Sequence, residues 1–325
     1  MQDMRVLDGP EVWNEAGARA LSTWQFPVTS DAGALMVSAV DQADSEAPQL
    51  AGREHIDLGA LKSLFAEVRS VVEHGVGFAC LSDLPFAELS YDKSVALTLA
   101  LADHVGDVVV QNYEGQRVVD VRDEGIPYSH QSRGYRSNKH LPFHTDGANL
   151  FSLTCLGAAA SGGETIIVSA SAVYNAIAQE FPDALPILMR GFYHHRRGQH
   201  HDWETPLSAH RVPVFAFHDD LLHCCYNRNP IDWARHEGIE LNAAEVAALD
   251  AMDQVMARRE MQLRLELQPG ESLIVNNFTT LHSRTEYVDD DQHRRHMLRV
   301  WMQNPHSQRS GFSLLDLYVP AELRA

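Results

Sequence analysis

The sequence predicts an α+β fold that is mainly β: a β-sandwich or jelly roll carrying helices on its outer faces. Three observations lead there. From Val108 onward, short runs rich in β-branched and aromatic residues dominate the chain, with turn residues between them. Helical periodicity is confined to a few stretches. No internal repeat or low-complexity tract points to a solenoid or a linker. Many short strands with a few helical insertions bury their apolar faces best as packed sheets flanked by helices.

Residues 1–56 are expected to form an irregular N-terminal extension packed on the main body, residues 57–325. Trp13, Trp24 and Phe26 lie there among short polar pieces, and such aromatics argue against disorder. Gln42 to Gln49 reads as a loop. From Ile56, the residues Leu58, Leu61, Leu64, Phe65, Val68 and Val71-Val72 recur at helical spacing until Gly75. Gly77 to Leu81 reads as a buried strand, and Leu84-Pro85-Phe86 leads to a second helix near Lys93 to Val105. Further strands are expected at Val108 to Val110, Val118 to Val121, Leu150 to Leu156, Thr165 to Val168 and Val212 to Phe217. Three more follow at Leu263 to Leu267, Leu273 to Asn276 and His296 to Met302. Helices interrupt them at Ser171 to Glu180 and near Ala243 to Glu260, the second after Asn242 as N-cap.

The chain has 325 residues, 45% hydrophobic and 22% charged, with material for a sizeable core. Its 26 basic against 44 acidic residues give a net charge of −18. Such a chain repels phosphate backbones and anionic lipid, so neither nucleic acid nor a membrane is an expected partner. No apolar run approaches the roughly 20 residues of a membrane span. Met1 to Arg5 shows no basic-then-apolar secretory pattern. The four cysteines, Cys80, Cys155, Cys224 and Cys225, form no CxxC pattern. They read as buried thiols in a reducing, cytoplasmic setting, with a redox switch at the vicinal pair as the alternative. A small-molecule partner is expected, and a homo-oligomer is compatible with the sequence.

The chemistry concentrates in Leu141-Pro142-Phe143-His144-Thr145-Asp146-Gly147. Alternate side chains of a strand share a face, so the His144 imidazole and the Asp146 carboxylate can converge on one ion. Taken alone, the pair equally fits an aspartate orienting a histidine in a turn. Far downstream, His282 follows an apolar strand and a polar turn. Two neutral imidazoles and one carboxylate make a facial triad with three open positions, as non-haem Fe(II) oxygenases need to bind oxygen and a co-substrate together. A structural zinc site would instead close its positions, typically with thiolates, and no cysteine neighbours these residues in sequence.

Two further elements point to an anion. In Arg294-Arg295-His296-Met297-Leu298-Arg299-Val300-Trp301, positions 295, 297 and 299 share a strand face, so two guanidinium groups can enter one cavity. Burying both without anions would be costly, which suggests a carboxylate clamp; pairing with surface acids is the alternative. In Ser161-Gly162-Gly163-Glu164-Thr165 a glycine turn opens a strand, and the Thr165 hydroxyl could join the same anion.

These four motifs, in this order, resemble the taurine dioxygenase-like family of Fe(II)- and 2-oxoglutarate-dependent oxygenases. That family includes 2,4-dichlorophenoxyacetate dioxygenase and γ-butyrobetaine hydroxylase. The resemblance spans roughly residues 75–305, with 1–56 outside it. It implies a double-stranded β-helix (jelly roll) core with flanking helices, and Fe(II) held by His144, Asp146 and His282. It implies that Arg295 salt-bridges the distal carboxylate of 2-oxoglutarate while Thr165 hydrogen-bonds it. It also implies that Arg299 faces the primary substrate or supports the co-substrate. The implied reaction couples O2 and decarboxylation of 2-oxoglutarate, to succinate and CO2, to hydrogen abstraction from a substrate C–H bond. A carboxylate at 146, where related halogenases carry a small residue, implies hydroxylation or another oxidation.

Arg228, in Tyr226-Asn227-Arg228-Asn229-Pro230, and Asn138 are further candidates for substrate contact; a satisfied turn and a loop cap are the respective alternatives. Tyr193 to Trp203 reads as a polar lid whose Arg196 and Arg197 attract an anionic substrate, or as a second metal site. His218 and His223 flank Asp219-Asp220 and are expected on a hairpin surface. The expected activity is oxidation, foremost hydroxylation, of a small polar, anionic or amino-acid-like metabolite. The alternative from another class is a non-oxidative metal-binding jelly roll: a small-acid sensor, or a metal-dependent hydrolase or isomerase. An arginine–threonine clamp beside the triad speaks against it, because such proteins need no co-substrate site.

Overall fold

The computed structural model describes residues 5–43, 52–305, 307–309 and 314–319. It is a sheet-rich mixture of α and β structure in which two sheets share an apolar interior. The larger sheet runs Gln25–Pro27, Phe78–Ser82, Ser272–Asn276, Leu150–Gly157, His296–Gln303. Asp107–Val109 and Val118–Val121 share its far edge, each pairing with part of His296–Gln303. Every pairing is antiparallel except that of Gln25–Pro27 with Phe78–Ser82. The smaller sheet runs Leu263–Leu265, Thr165–Ser169, Thr280–Arg284, Leu141–His144, all antiparallel.

Period-two alternation sorts the side chains of the larger sheet. Leu150, Ile274, Leu298, Val300 and Met302 face outward into a cluster with Met36, Phe65, Val68, Val72, Val95 and Leu99. Those partners lie on the helices Ser30–Gln42, Lys62–His74 and Tyr91–Asp103, which cover that face. Phe151, Leu153, Leu273, Val275, Met297 and Trp301 face inward, against Ile167 and Leu263 of the smaller sheet. Burial of each such side chain contributes roughly 1.5–3 kcal/mol. Arg299 therefore stands on the inward face between Met297 and Trp301, where an arginine needs a polar reason to be. The outer face of the smaller sheet, through Val168 and Leu281, packs on Ala170–Glu180, Leu185–Arg190 and Ala243–Met256.

Several expectations change in detail. The segment read as irregular holds the helices Glu15–Ala20 and Ser30–Gln42 and an edge strand of the larger sheet. Asn14 and Thr29 cap the two helices through their side chains. The rings of Trp13 and Trp24 each lie 5.3 Å from that of Phe78. Of the expected loop Gln42 to Gln49, Gln42 ends the second helix and residues 44–49 lie outside the described residues. In Val212 to Phe217 only Phe215 onward is strand, since Pro213 has no N–H to give a ladder. Asn242 and Glu245 form a reciprocal capping box, and the helix they open ends at Met256. A short helix, Arg228–Trp233, replaces the turn expected after Tyr226. All four cysteines are buried and unbridged, and burial pushes the Cys80 and Cys155 thiols up to about 12.

Candidate metal centre and its cationic cavity

The cluster follows from strand register. His144 ends its strand directly across from His282, the middle residue of Thr280–Arg284. Their ring centroids lie 4.2 Å apart. Asp146, two residues beyond His144, is turned back by Asn277. The Asp146 N–H donates to Asn277 Oδ1 at 3.0 Å, and Asn277 Nδ2 donates to the Ala148 carbonyl at 2.8 Å. Donor atoms of His144, Asp146 and His282 all lie within 4.8 Å of one another, the only such group of three among the described residues. The second metal site considered for residues 193–203 is thus not found there.

Electrostatics suit a cation. Burial lowers the basicity of both imidazoles, so each keeps a lone pair at neutral pH. His144 Nδ1 donates to the Pro142 carbonyl at 2.8 Å, which leaves Nε2 as the free lone pair. Burial works most strongly against the Asp146 charge, but the Arg299 guanidinium together with His282, His144 and Arg133 outweighs it and holds the carboxyl well below the usual range. Arg299 Nη1 lies 3.2 Å from Asp146 Oδ2, and Trp301 Nε1 donates to the same oxygen at 2.9 Å. These two residues of the larger sheet fix the carboxylate that the smaller sheet presents.

Two cavity lobes adjoin the cluster, and His144 and Arg299 line both. One, with about 430 Å³ of empty space, is also lined by Thr165, His282, Arg284 and Arg295. Arg295 is 2% exposed, and its Nε and Nη1 have no hydrogen-bond partner. Its guanidinium lies 5.3 Å from the Tyr287 ring, and that of Arg284 4.9 Å from the same ring. Arg284 donates to the Ser137 carbonyl at 2.6 Å while its Nε and Nη1 stay unpartnered. Burial, then the like charge of Arg295, push Arg284 down to about 10. Two buried cations with unused donors fit a dianionic ligand. The other lobe, of about 370 Å³, is lined by Tyr128, Arg133, Arg197 and Asn227 among others.

The structure thus brings together His144, Asp146, His282, Thr165, Arg295 and Arg299. It does not bring Arg228 or Asn138 to the cavity. Arg228 is saturated by three acids: it lies 3.0 Å from Asp232 and 2.9 Å from each of Asp250 and Asp253. Asn138 Nδ2 donates to the Tyr287 carbonyl at 3.2 Å and its own carbonyl accepts the Tyr287 N–H at 3.1 Å, so it tethers the aromatic that Arg295 rests on. Arg196 and Arg197 are buried rather than displayed on a polar lid. His218 is exposed on its hairpin, but His223 is buried, 4.8 Å from the Phe278 ring. Arg197, expected to attract an anionic substrate, does line the cavity, together with Arg133 and Arg284, which the sequence does not single out; their burial is visible only in three dimensions.

Burial pushes the His194 imidazole down to about 3, well below its value in an unfolded chain. Above about pH 6.5 both states hold it neutral and it contributes no pH dependence. As pH falls below that, the unfolded chain takes up a proton that the folded one refuses. Stability then drops by about 1.4 kcal/mol per unit from this group until its folded pKa is reached. Urea unfolding at pH 7 and pH 5 is expected to show this loss, and His194→Asn to reduce it by about 2 kcal/mol.

A sheet-rich scaffold that presents two imidazoles and a carboxylate beside unpaired arginines defines a non-haem metal enzyme with an acidic co-substrate. Residues 43–301 match the family described as taurine catabolism dioxygenase TauD, TfdA family, and the chain belongs to it. It is accordingly an Fe(II)- and 2-oxoglutarate-dependent dioxygenase that uses O2, and the non-oxidative alternative falls. The chain is 30% identical over 320 residues to FR-33289 synthase of Streptomyces rubellomurinus, covering 95% of this chain and 94% of that protein. It is 24% identical over 284 residues to a uridine-5'-phosphate dioxygenase of Amycolatopsis sp, covering 81% and 92% respectively. In fold it is similar to an asparagine oxygenase solved with Fe(II), hydroxyasparagine and succinate, with a TM-score of 0.64 and 17% identity over 86% of this chain and 93% of that one. No helix among the described residues is long and apolar enough to cross a membrane.

Proposed function

We propose that this dioxygenase hydroxylates a C–H bond of a small polar metabolite, anionic or amino-acid-like, with release of succinate and CO2. The observation that carries this reading is the meeting of His144, Asp146 and His282 beside Arg295, whose buried Nε and Nη1 have no partner. A relative named for uridine-5'-phosphate and a structural neighbour named for asparagine support a charged, polar substrate of modest size. In this reading His144, Asp146 and His282 hold Fe(II), Arg295 and Thr165 hold the distal carboxylate of 2-oxoglutarate, and Arg299, which lines both lobes, orients Asp146 and keeps an Nη2 without a partner. Bound iron and 2-oxoglutarate supply, with O2, the oxidising power for C–H cleavage. The chain's own residues keep the imidazoles neutral, neutralise the co-substrate and exclude water. The paired sheets are read as a double-stranded β-helix, with residues 57–325 as the oxygenase domain and 1–56 as an extension packed on it.

Anaerobic addition of Fe(II) and 2-oxoglutarate is expected to produce a weak visible charge-transfer band, and admission of O2 with a substrate to release succinate. If protein loaded with iron gives neither signal, the reading is overturned. A second expectation concerns the turn before Thr165. Gly162 and Gly163 have φ of 73° and 76°, and a Cβ on Gly163 would lie 3.0 Å from Arg295 Cδ and Nε. Gly163→Ala, strained in backbone and pressed on Arg295, is expected to raise the 2-oxoglutarate KM about tenfold, read from succinate release against co-substrate concentration.

A further inference from the structure

The second lobe is more cationic than the iron and the co-substrate account for. Arg133 and Arg197 are 6% and 5% exposed, and neither forms an ion pair with a carboxylate among the described residues. Arg133 comes from the turn before Gly134–Arg136, and Arg197 from the loop after Phe192. The two guanidinium groups lie 5.0 and 5.2 Å from the ring of Tyr318. Arg133 also lies 5.1 Å from the Trp301 ring and donates to the Gln111 carbonyl at 2.7 Å. Burial, then the like charge of Arg299, push it down to about 10. Arg197 adopts φ of 55° ahead of Gly198, a left-handed conformation that a non-glycine residue holds at a cost, and its buried Nε has no partner.

The one carboxylate lining this lobe is Asp146, already engaged by Arg299 and Trp301. Three guanidinium groups against one carboxylate leave an excess of two positive charges, before any metal adds its own. Two buried and unneutralised arginines are costly, and aromatic faces offset only part of that cost. A ligand that balances the lobe brings two negative charges on one compact group, with enough oxygens to serve guanidinium groups arriving from separate segments. A carboxylate or sulfonate supplies one charge. A terminal phosphoryl group supplies up to two near neutral pH and three acceptor oxygens.

We propose that Arg133 and Arg197 form the anchoring subsite for a phosphoryl dianion on the primary substrate, carried as a phosphate monoester or as a phosphonate. This rests on the function proposed above and goes beyond it by naming the group that selects the substrate. Arg295 and Arg284 serve the co-substrate in one lobe; Arg133 and Arg197 hold the substrate's charged end in the other, with His144 and Arg299 lining both lobes.

The test uses the anaerobic protein loaded with Fe(II) and 2-oxoglutarate, titrated calorimetrically with ethyl phosphate, ethylphosphonate, ethanesulfonate and propionate while the visible band is followed. The two phosphoryl probes are expected to bind at least about tenfold more tightly than the two monoanions. Arg133→Gln and Arg197→Gln are each expected to weaken them by about tenfold or more and to erase the preference, with the co-substrate band intact as evidence of a folded site. A preference between ethyl phosphate and ethylphosphonate identifies the ester or the carbon-linked source, and either supports the subsite. Equal binding of all four probes, or variants that bind the phosphoryl probes as the parent does, overturns this inference alone. Absence of the co-substrate band from the parent protein overturns the proposed function and this inference with it.

Discussion

His282→Ala is expected to lower turnover by about 10³-fold or more, a loss of at least about 4 kcal/mol of transition-state stabilisation. The size follows from the geometry. His282 faces His144 across the sheet, and no other group of three ligating side chains exists among the described residues to take over. Two remaining donors hold a divalent ion weakly and leave its orientation free. The fold should survive, because the substitution removes a buried imidazole whose Nδ1 has no partner. Anaerobic Fe(II) titration and succinate release separate the two effects: iron binding and turnover should fall together while the far-ultraviolet spectrum stays put. A variant that keeps full activity would remove His282 from the iron centre.

The legible part of this chain is the part whose signal is local. The pair His144 and Asp146 lies two residues apart, and the strand around His282 is an apolar run ending in a polar patch, so both halves of the cluster stand out in the linear sequence. The central strands of the larger sheet are equally plain, because alternation on Leu150–Gly157 and His296–Gln303 gives each face its own set of apolar residues, whereas its three-residue edge strand Gln25–Pro27 carries no such pattern. The helix Ser30–Gln42 is hard to read because half of its inward positions, Ala32, Gly33 and Ala39, are small, and only Leu35, Met36 and Val40 mark the stripe. Arg228 was misassigned for the opposite reason. Its own neighbourhood looks like a pocket turn, whereas Asp250 and Asp253, which neutralise it, stand on a helix some twenty residues on. Arg197 stands out only as part of the His- and Arg-rich segment 193–203, and Arg133 and Arg284 carry no local mark at all. Whether an arginine is paired outside or orphaned inside is decided by segments far away in the chain, and for Arg133 those are the strand bearing Trp301 and the turn bearing Tyr318.

Arg295→Ala is expected to raise the 2-oxoglutarate KM about 100-fold, close to 3 kcal/mol, with a much smaller change in kcat at saturating co-substrate. The distal carboxylate of 2-oxoglutarate takes no part in bond making, so its clamp stabilises ground and transition states alike, and the loss falls on KM. Arg295→Lys should recover only part of the affinity, since an ammonium keeps the charge but not the fork that binds two oxygens at once. Thermal unfolding gives an independent reading. Without co-substrate, Arg295 is a buried cation with two idle donors, so replacing it relieves a desolvation cost and should leave Tm unchanged or raised. With co-substrate present the order should reverse, because ligand stabilisation scales with the logarithm of the ligand concentration over Kd. A variant with lowered Tm under both conditions and an unchanged KM would make Arg295 a structural arginine, and would shift the clamp to Arg284, which shares the Tyr287 ring with it.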